Sequence, residues 1–259
     1  MVYLNDNVRM ISYIFKEERI LRRNIDISIF ILIVILAYNS LRGGAFNDPM
    51  GWLMDKLMLL PAIIIGLAFH EYAHAKVAYK LGDPTPKMQG RVTINPLSHI
   101  DVLGFASLIF VGFGWGVPVQ INPANFKKRR RDELLVSLAG VAMNLLIAVI
   151  FSFVAKFMVM GLGYEFLSGN LGYILWTMIN DIIIINLALM IFNLIPCPPL
   201  DGFSVISEIF NIKHTNFYWT LYRYGNWILV GLIVFGITSR ILSPCLYFLY
   251  NLLNTWIIY

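Results

Sequence analysis

Long apolar runs separated by short polar or basic connections set the rhythm of this chain. Runs at Ile25–Leu41, Met54–Tyr79, Leu134–Met160, Leu171–Ile195 and Tyr224–Ile241 fall within or above the ~17–25 mostly apolar residues of a membrane-spanning helix. A sixth, Cys245–Tyr259, is short enough to lie in the interface or to pair with the fifth. The pattern predicts an all-α polytopic membrane protein with about five to six transmembrane helices. It divides into 1–53 (N-terminal segment and first span), 54–204 (a core of three spans) and 205–259 (a loop and one or two apolar helices).

Between the second and third spans the rhythm changes. The segment Asp83–Phe126 is apolar in its middle but punctuated by prolines and by Gly112, Gly114 and Gly116. Alternation in "RVTIN" and "VPVQIN" suits short strands rather than helix. Both flanks are basic, so both ends lie on one side of the membrane. The segment therefore reads as a re-entrant or interfacial loop, or a β-hairpin, packed on protein or lining a wet cavity. The glycine run lacks the strand-before, helix-after setting of a phosphate loop and sits between aromatic residues, which fits a close-packed turn.

Composition agrees with the pattern. Of 259 residues, 58% are hydrophobic and only 14% charged, against about a quarter charged in soluble domains; the mean hydropathy is +0.70. The net charge of +5 does not call for nucleic acid. Its densest run, "KKRRR" (Lys127–Arg131), adjoins a span, where clustered Lys/Arg mark the cytoplasmic side and favour anionic lipid. Arg9, Lys16, Arg19, Arg22 and Arg23 precede the first span. Lys80, Lys87 and Arg91 follow the second, and Lys213 and Arg223 separate the fourth and fifth. The opposite connections, Gly43–Leu53 and Gly161–Asn170, hold only Asp48 and Glu165 as charges. The expectation is a cell-membrane protein with a cytoplasmic N-terminus. The opening "MVYLNDNVRMISYIFKEERILRRN" is too long and charged for a cleaved signal. Two cysteines, Cys197 and Cys245, make neither a disulfide framework nor a thiolate metal cage.

Candidate chemistry sits inside the second run, as His70-Glu71-Tyr72-Ala73-His74. On a helix, residues four apart share a face, one turn along, so two imidazoles can take two corners of a tetrahedral zinc. The glutamate beside the first can act as general base on water. The string alone is moderately specific. Its depth sharpens it, because His70 falls about 20 Å into the span counted from Leu57, where ionisable groups are costly unless paired or hydrated.

A catalytic zinc takes a third protein ligand. Glu165 lies in an outer connection and Asp181 in the outer half of the fourth span. His99 and Asp101 could approach through the loop. The strongest candidate is Asp201 in "FNLIPCPPLDGF", where prolines 196, 198 and 199 break the fourth helix near its inner end. Broken backbone in a span that faces a cavity is a functional signature, and the Asp-Gly pair is expected to hold its carboxylate in a tight, exposed turn.

With these residues the chain resembles the site-2 protease family, the zinc intramembrane metalloproteases. "HEYAH" matches its HExxH and "NLIPCPPLDG" its asparagine–proline–LDG motif. "GDPTPKMQGRVTINPLSHIDVLG" and "GFGWGVPVQINPANF" look like the intervening loop of its minimal bacterial and archaeal members. "AGVAMNLLIA" looks like its third core helix, with Val141 where the family often has proline. The likeness covers roughly Pro61–Ser204. It implies one Zn2+ held by His70, His74 and Asp201, Glu71 as general base and proton donor, and Asn193 on the oxyanion or substrate carbonyl. Asn144 matches a family asparagine to which only helix packing is assigned. Neither a PDZ nor a CBS domain fits in the sequence. The implied partners are a transmembrane protein substrate and the lipid bilayer, with no nucleic acid and with homo-oligomers left open. The active site would face the cytoplasmic side. Rival readings are an inactive membrane scaffold of the same fold, a zinc transporter, and a metalloprotease using Glu208 as ligand.

Overall fold

The computed structural model describes residues 48–111 and 114–258, together with Phe30, Val34 and Tyr38. The expected first span, Ile25–Leu41, lies outside the described residues apart from those three. Helix α1 spans Pro49–Lys80, α2 Thr85–Met88 and α3 Val102–Val111. Helix α4 spans Arg129–Phe157 and continues through a π-helical turn at Met158–Leu162. It is followed by α5 (Gly163–Ser168), α6 (Asn170–Asn193), α7 (Asp201–Ile209), α8 (Asn216–Val234) and α9 (Ile237–Leu253).

Helix starts follow from local chemistry. Asp48 caps α1, its carboxylate accepting from the Gly51 N–H at 3.0 Å, with Pro49 at the first helical position where no N–H is needed. The start of α4 is a harder case, because three arginines meet the positive end of the helix dipole. Two buried acids offset them. Asp132 accepts from the Lys128 N–H at 2.9 Å, and Glu133 pairs with Arg129 and Lys213.

Three helices, α1, α4 and α6, are each long and apolar enough to cross a membrane. Helices α8 and α9 reach that standard only as a pair, bent by 69°. Among the described residues this gives three candidate spans, or four if the bent pair is one. The expected fifth span, Tyr224–Ile241, is therefore not one straight helix. It breaks at Gly236, whose φ of 69° lies in the left-handed region that only glycine enters without strain.

Small and polar residues line the inner face of α4 and large apolar ones its outer face. Along α4, Gly140, Asn144, Ala148 and Ser152 recur every fourth residue and are all buried. Val141, Ala148 and Ala155 of α4 pack with Ile183, Leu187, Met190 and Ile191 of α6, while Ala62 of α1 packs with Ile147 and Ile182. Leu146, Ile150, Phe153 and Phe157 of α4 are exposed. This inversion suits lipid as the outer solvent, since small residues let helices approach closely where no hydrophobic force drives them together.

The loop between α1 and α4 contains helix α3 but no paired strand among the described residues. "RVTIN" is irregular, and "VPVQIN" is extended without a ladder. One antiparallel bridge, Ile100 to Gly116, is all the pairing present. Val117 N–H on His99 O belongs to that bridge, and beyond it the segment's donors go to side chains: Val119 N–H to Glu71 and Asn122 N–H to Asp83. The alternating pattern thus marks an extended segment tied to α1, and not a strand in a sheet.

Candidate metal centre

Helix α1 presents His70 and His74 one turn apart, with 6% and 8% of their surface exposed. Their Nε2 atoms lie 3.0 Å apart. Helix α6 ends at Asn193, and the proline-rich turn that follows delivers Asp201 as the first residue of α7. Its Oδ2 lies 3.2 Å from His70 Nε2 and 3.3 Å from His74 Nε2. Asp201 therefore begins a new helix and is largely covered, where an exposed turn was expected. The turn folds tightly enough that a Cβ on Gly202 would fall 2.2 Å from Leu194 O, so the residue after the aspartate has to be glycine.

Hydrogen bonds fix which nitrogens face inward. Asn144 donates its amide to Gly66 O and Asn186 Oδ1. Its Oδ1 is thus left to accept from His70 Nδ1 at 2.6 Å. His74 Nδ1 donates to Val136 O at 2.7 Å. With both Nδ1 atoms bonded to α4, each imidazole turns its Nε2 toward the other and toward Asp201.

Two imidazole Nε2 atoms and one carboxylate oxygen thus converge on a single point, a ligand set that a cation can share. Asp201 Oδ2 is buried without a hydrogen-bond partner, which is the mark of a group awaiting such a cation. Ligands at ~2.0–2.1 Å from a tetrahedral zinc stand about 3.3–3.4 Å apart, close to the separations observed. The residues fit zinc in number, type and spacing. Among the described residues, His70, His74 and Asp201 form the metal-competent cluster.

Glu71 lies beside this cluster, half-buried. Its Oε2 accepts from Val119 N–H at 3.0 Å, so the extended segment of the loop holds one carboxylate oxygen and leaves the other without a protein partner. The Asp83 carboxylate anchors that loop. It accepts from the Thr85 N–H and hydroxyl, Asn122 N–H and the Asn125 amide.

The remaining candidates lie elsewhere. Asn193 donates its amide to Leu189 O of its own helix at 3.0 Å and touches none of the three clustered residues. Asp181 is twelve residues back along α6, about 18 Å at the helical rise. Asp101 caps α3 through Gly104 N–H. His99 is fully buried and bonds Thr93 O. Glu165 is exposed on α5, and Glu208 pairs with Lys213.

Over 156 residues the chain is 40% identical to "Putative zinc metalloprotease YwhC" of Bacillus subtilis, covering 58% of this chain and 68% of that one. The chain belongs to that zinc metalloprotease family. Further relatives are named "Putative zinc metalloprotease Rip2". The one from Mycolicibacterium smegmatis is 25% identical over 244 residues, 90% of each chain. Its counterpart from Mycobacterium tuberculosis is 27% identical over 170 residues, 63% of this chain and 61% of that one. No family model and no solved structure matches the chain. The HEYAH helix and Asp201 are the residues through which such a protein can hold its zinc.

Three contributors escaped the sequence reading: Asn186, which orients Asn144; the Val136 carbonyl; and the Val119 N–H. Asn186 alone carried a visible signal, a polar amide within an apolar span. The other two act through backbone, which side-chain patterns do not report.

Proposed function

We propose that this chain is an intramembrane zinc metalloprotease of the site-2 protease type. It hydrolyses a peptide bond within or near a transmembrane segment of a membrane-protein substrate. The observation that carries this reading is the placement of His70, His74 and Asp201, with Glu71 adjacent, among helices long and apolar enough to cross a bilayer. A soluble substrate would not need such a site.

Zinc bound there supplies Lewis acidity, acidifying water and polarising the scissile carbonyl. Glu71 accepts the proton from the attacking water and returns it to the leaving amine. Val119 N–H holds the carboxylate in place for both transfers. Asn144 and Val136 O keep the imidazole Nε2 atoms directed inward. The basic residues Lys80, Lys87 and Lys127–Arg131, near the same ends of α1 and α4, support a site in the cytoplasmic half of the membrane, with water reaching it from that side. Asn193 donates one amide N–H to its own helix and keeps the second for the substrate carbonyl or oxyanion.

The test is cleavage by the purified protein in vesicles of a reporter bearing one transmembrane helix, beside a soluble peptide of similar composition. Cleavage of the first alone, lost in Glu71→Gln, is expected. An active Glu71→Gln would overturn the mechanism. Zinc binding without cleavage of any membrane reporter would favour a scaffold of the same fold.

A further inference from the structure

Helix α4 passes its backbone across the two histidines at Gly140. A Cβ built there would lie 2.4 Å from His74 Nε2, 2.6 Å from His70 Cε1 and 2.7 Å from His70 Nε2. Carbon–nitrogen contacts that short do not occur between non-bonded atoms, so something would have to move. The ends of flexible side chains usually yield cheaply, but these two do not. His70 is held by Asn144 and His74 by Val136 O, and both acceptors belong to α4, the helix that would carry the new methyl group. Moving the rings away from residue 140 therefore breaks the bonds that fix their tautomers. Moving α4 instead would disturb its packing on α6 through Val141 and Ala148.

We infer that Gly140 is a positioning residue of the metal centre. Its missing side chain lets α4 lie against both imidazoles while α4 also orients them from Asn144 and Val136. Alanine at this position displaces the Nε2 atoms from their common point and removes the site's capacity for zinc, although alanine is the better helix former. This inference rests on the zinc reading of the site, and two readouts keep the two apart.

The first readout is zinc affinity of purified Gly140→Ala by competition with a chromophoric chelator, beside wild type and Gly231→Ala. Gly231 has open space where its Cβ would be, so its variant should bind as wild type does. Gly140→Ala should bind at least ~10-fold more weakly, the loss typical of disturbed outer-shell support. The second readout needs no metal. Gly140→Ala should lower the melting temperature of the metal-free protein in the wild-type background. It should not do so in a His70→Ala/His74→Ala background, where the rings are gone. Wild-type zinc affinity in Gly140→Ala overturns the inference. So does an equal loss of stability or folding in both backgrounds, which would place the clash elsewhere. If wild type itself binds no zinc, the zinc reading fails while the stability comparison still decides the steric role of Gly140.

Discussion

The pair of histidines is useful only because other residues decide which nitrogen each one offers. Asn144 is the main one: it accepts from His70 with its oxygen and spends its amide on Gly66 O and Asn186. Asn144→Ala leaves the Nδ1–H of His70 without its acceptor, so the ring is free to turn. Zinc affinity is expected to fall ~10–100-fold, the usual effect of losing such a partner. Titration against a chelator checks this, and wild-type affinity in a folded variant would contradict it. The ligands were legible from sequence because HExxH spacing and a carboxylate after a proline break are side-chain signals. The orienting groups were legible only in part. Asn144 was visible but had no assigned partner, and Val136 acts through a carbonyl that any residue would supply.

At the scale of elements, two connections place the functional groups. The first is the loop anchored by Asp83. Burial pushes that carboxyl up, and hydrogen bonds from Thr85, Asn122 and Asn125 pull it down further, so it ends below its ordinary value. A depressed carboxyl contributes stability above its unfolded pKa of ~3.9 and loses it only as pH falls through the lower folded value. At neutral pH the anchor is therefore fully engaged. Asp83→Ala removes several bonds to a charged acceptor, each worth ~1.5–3 kcal/mol, and should expose the segment bearing Val119 to limited proteolysis before the bundle melts. Wild-type resistance would show that the loop is held by other means. The second connection joins α7 to α4 through Lys213, which bridges the buried Glu133 and Glu208. Burial pulls the Lys213 ammonium down, but the two carboxylates raise it further, so at neutral pH it is charged in both folded and unfolded chains. Lys213→Met leaves two carboxylates facing each other, which raises their folded-state pKa values. Stability of the variant should therefore rise as pH is lowered from 8 to 5.5 relative to wild type, as thermal melts would record; parallel profiles would contradict the bridge. The alternation in "VPVQIN" was readable as extended chain. That it would bond α1 and not a sister strand was not readable, because its acceptors, Glu71 and Asp83, lie far away in sequence.

At the scale of the molecule, α1, α4 and α6 hold the site, and large apolar residues cover the outer face of α4. The apolar runs disclosed α1, α4 and α6 to within a few residues, because twenty apolar positions have few soluble alternatives. The break between α8 and α9 was hidden, since Gly236 sits in a run whose hydropathy continues across it. Within this frame the central claim is that one zinc ion joins α1 to α7 through His70, His74 and Asp201, with Glu71 acting on water and not on the metal. The most direct measurement is the metal content of purified wild type, Glu71→Gln and Asp201→Ala, read beside cleavage of a membrane reporter by the same preparations. The account predicts one zinc per chain in wild type and in Glu71→Gln, activity in wild type alone, and loss of both metal and activity in Asp201→Ala. A folded Asp201→Ala that keeps its zinc at wild-type affinity would contradict it.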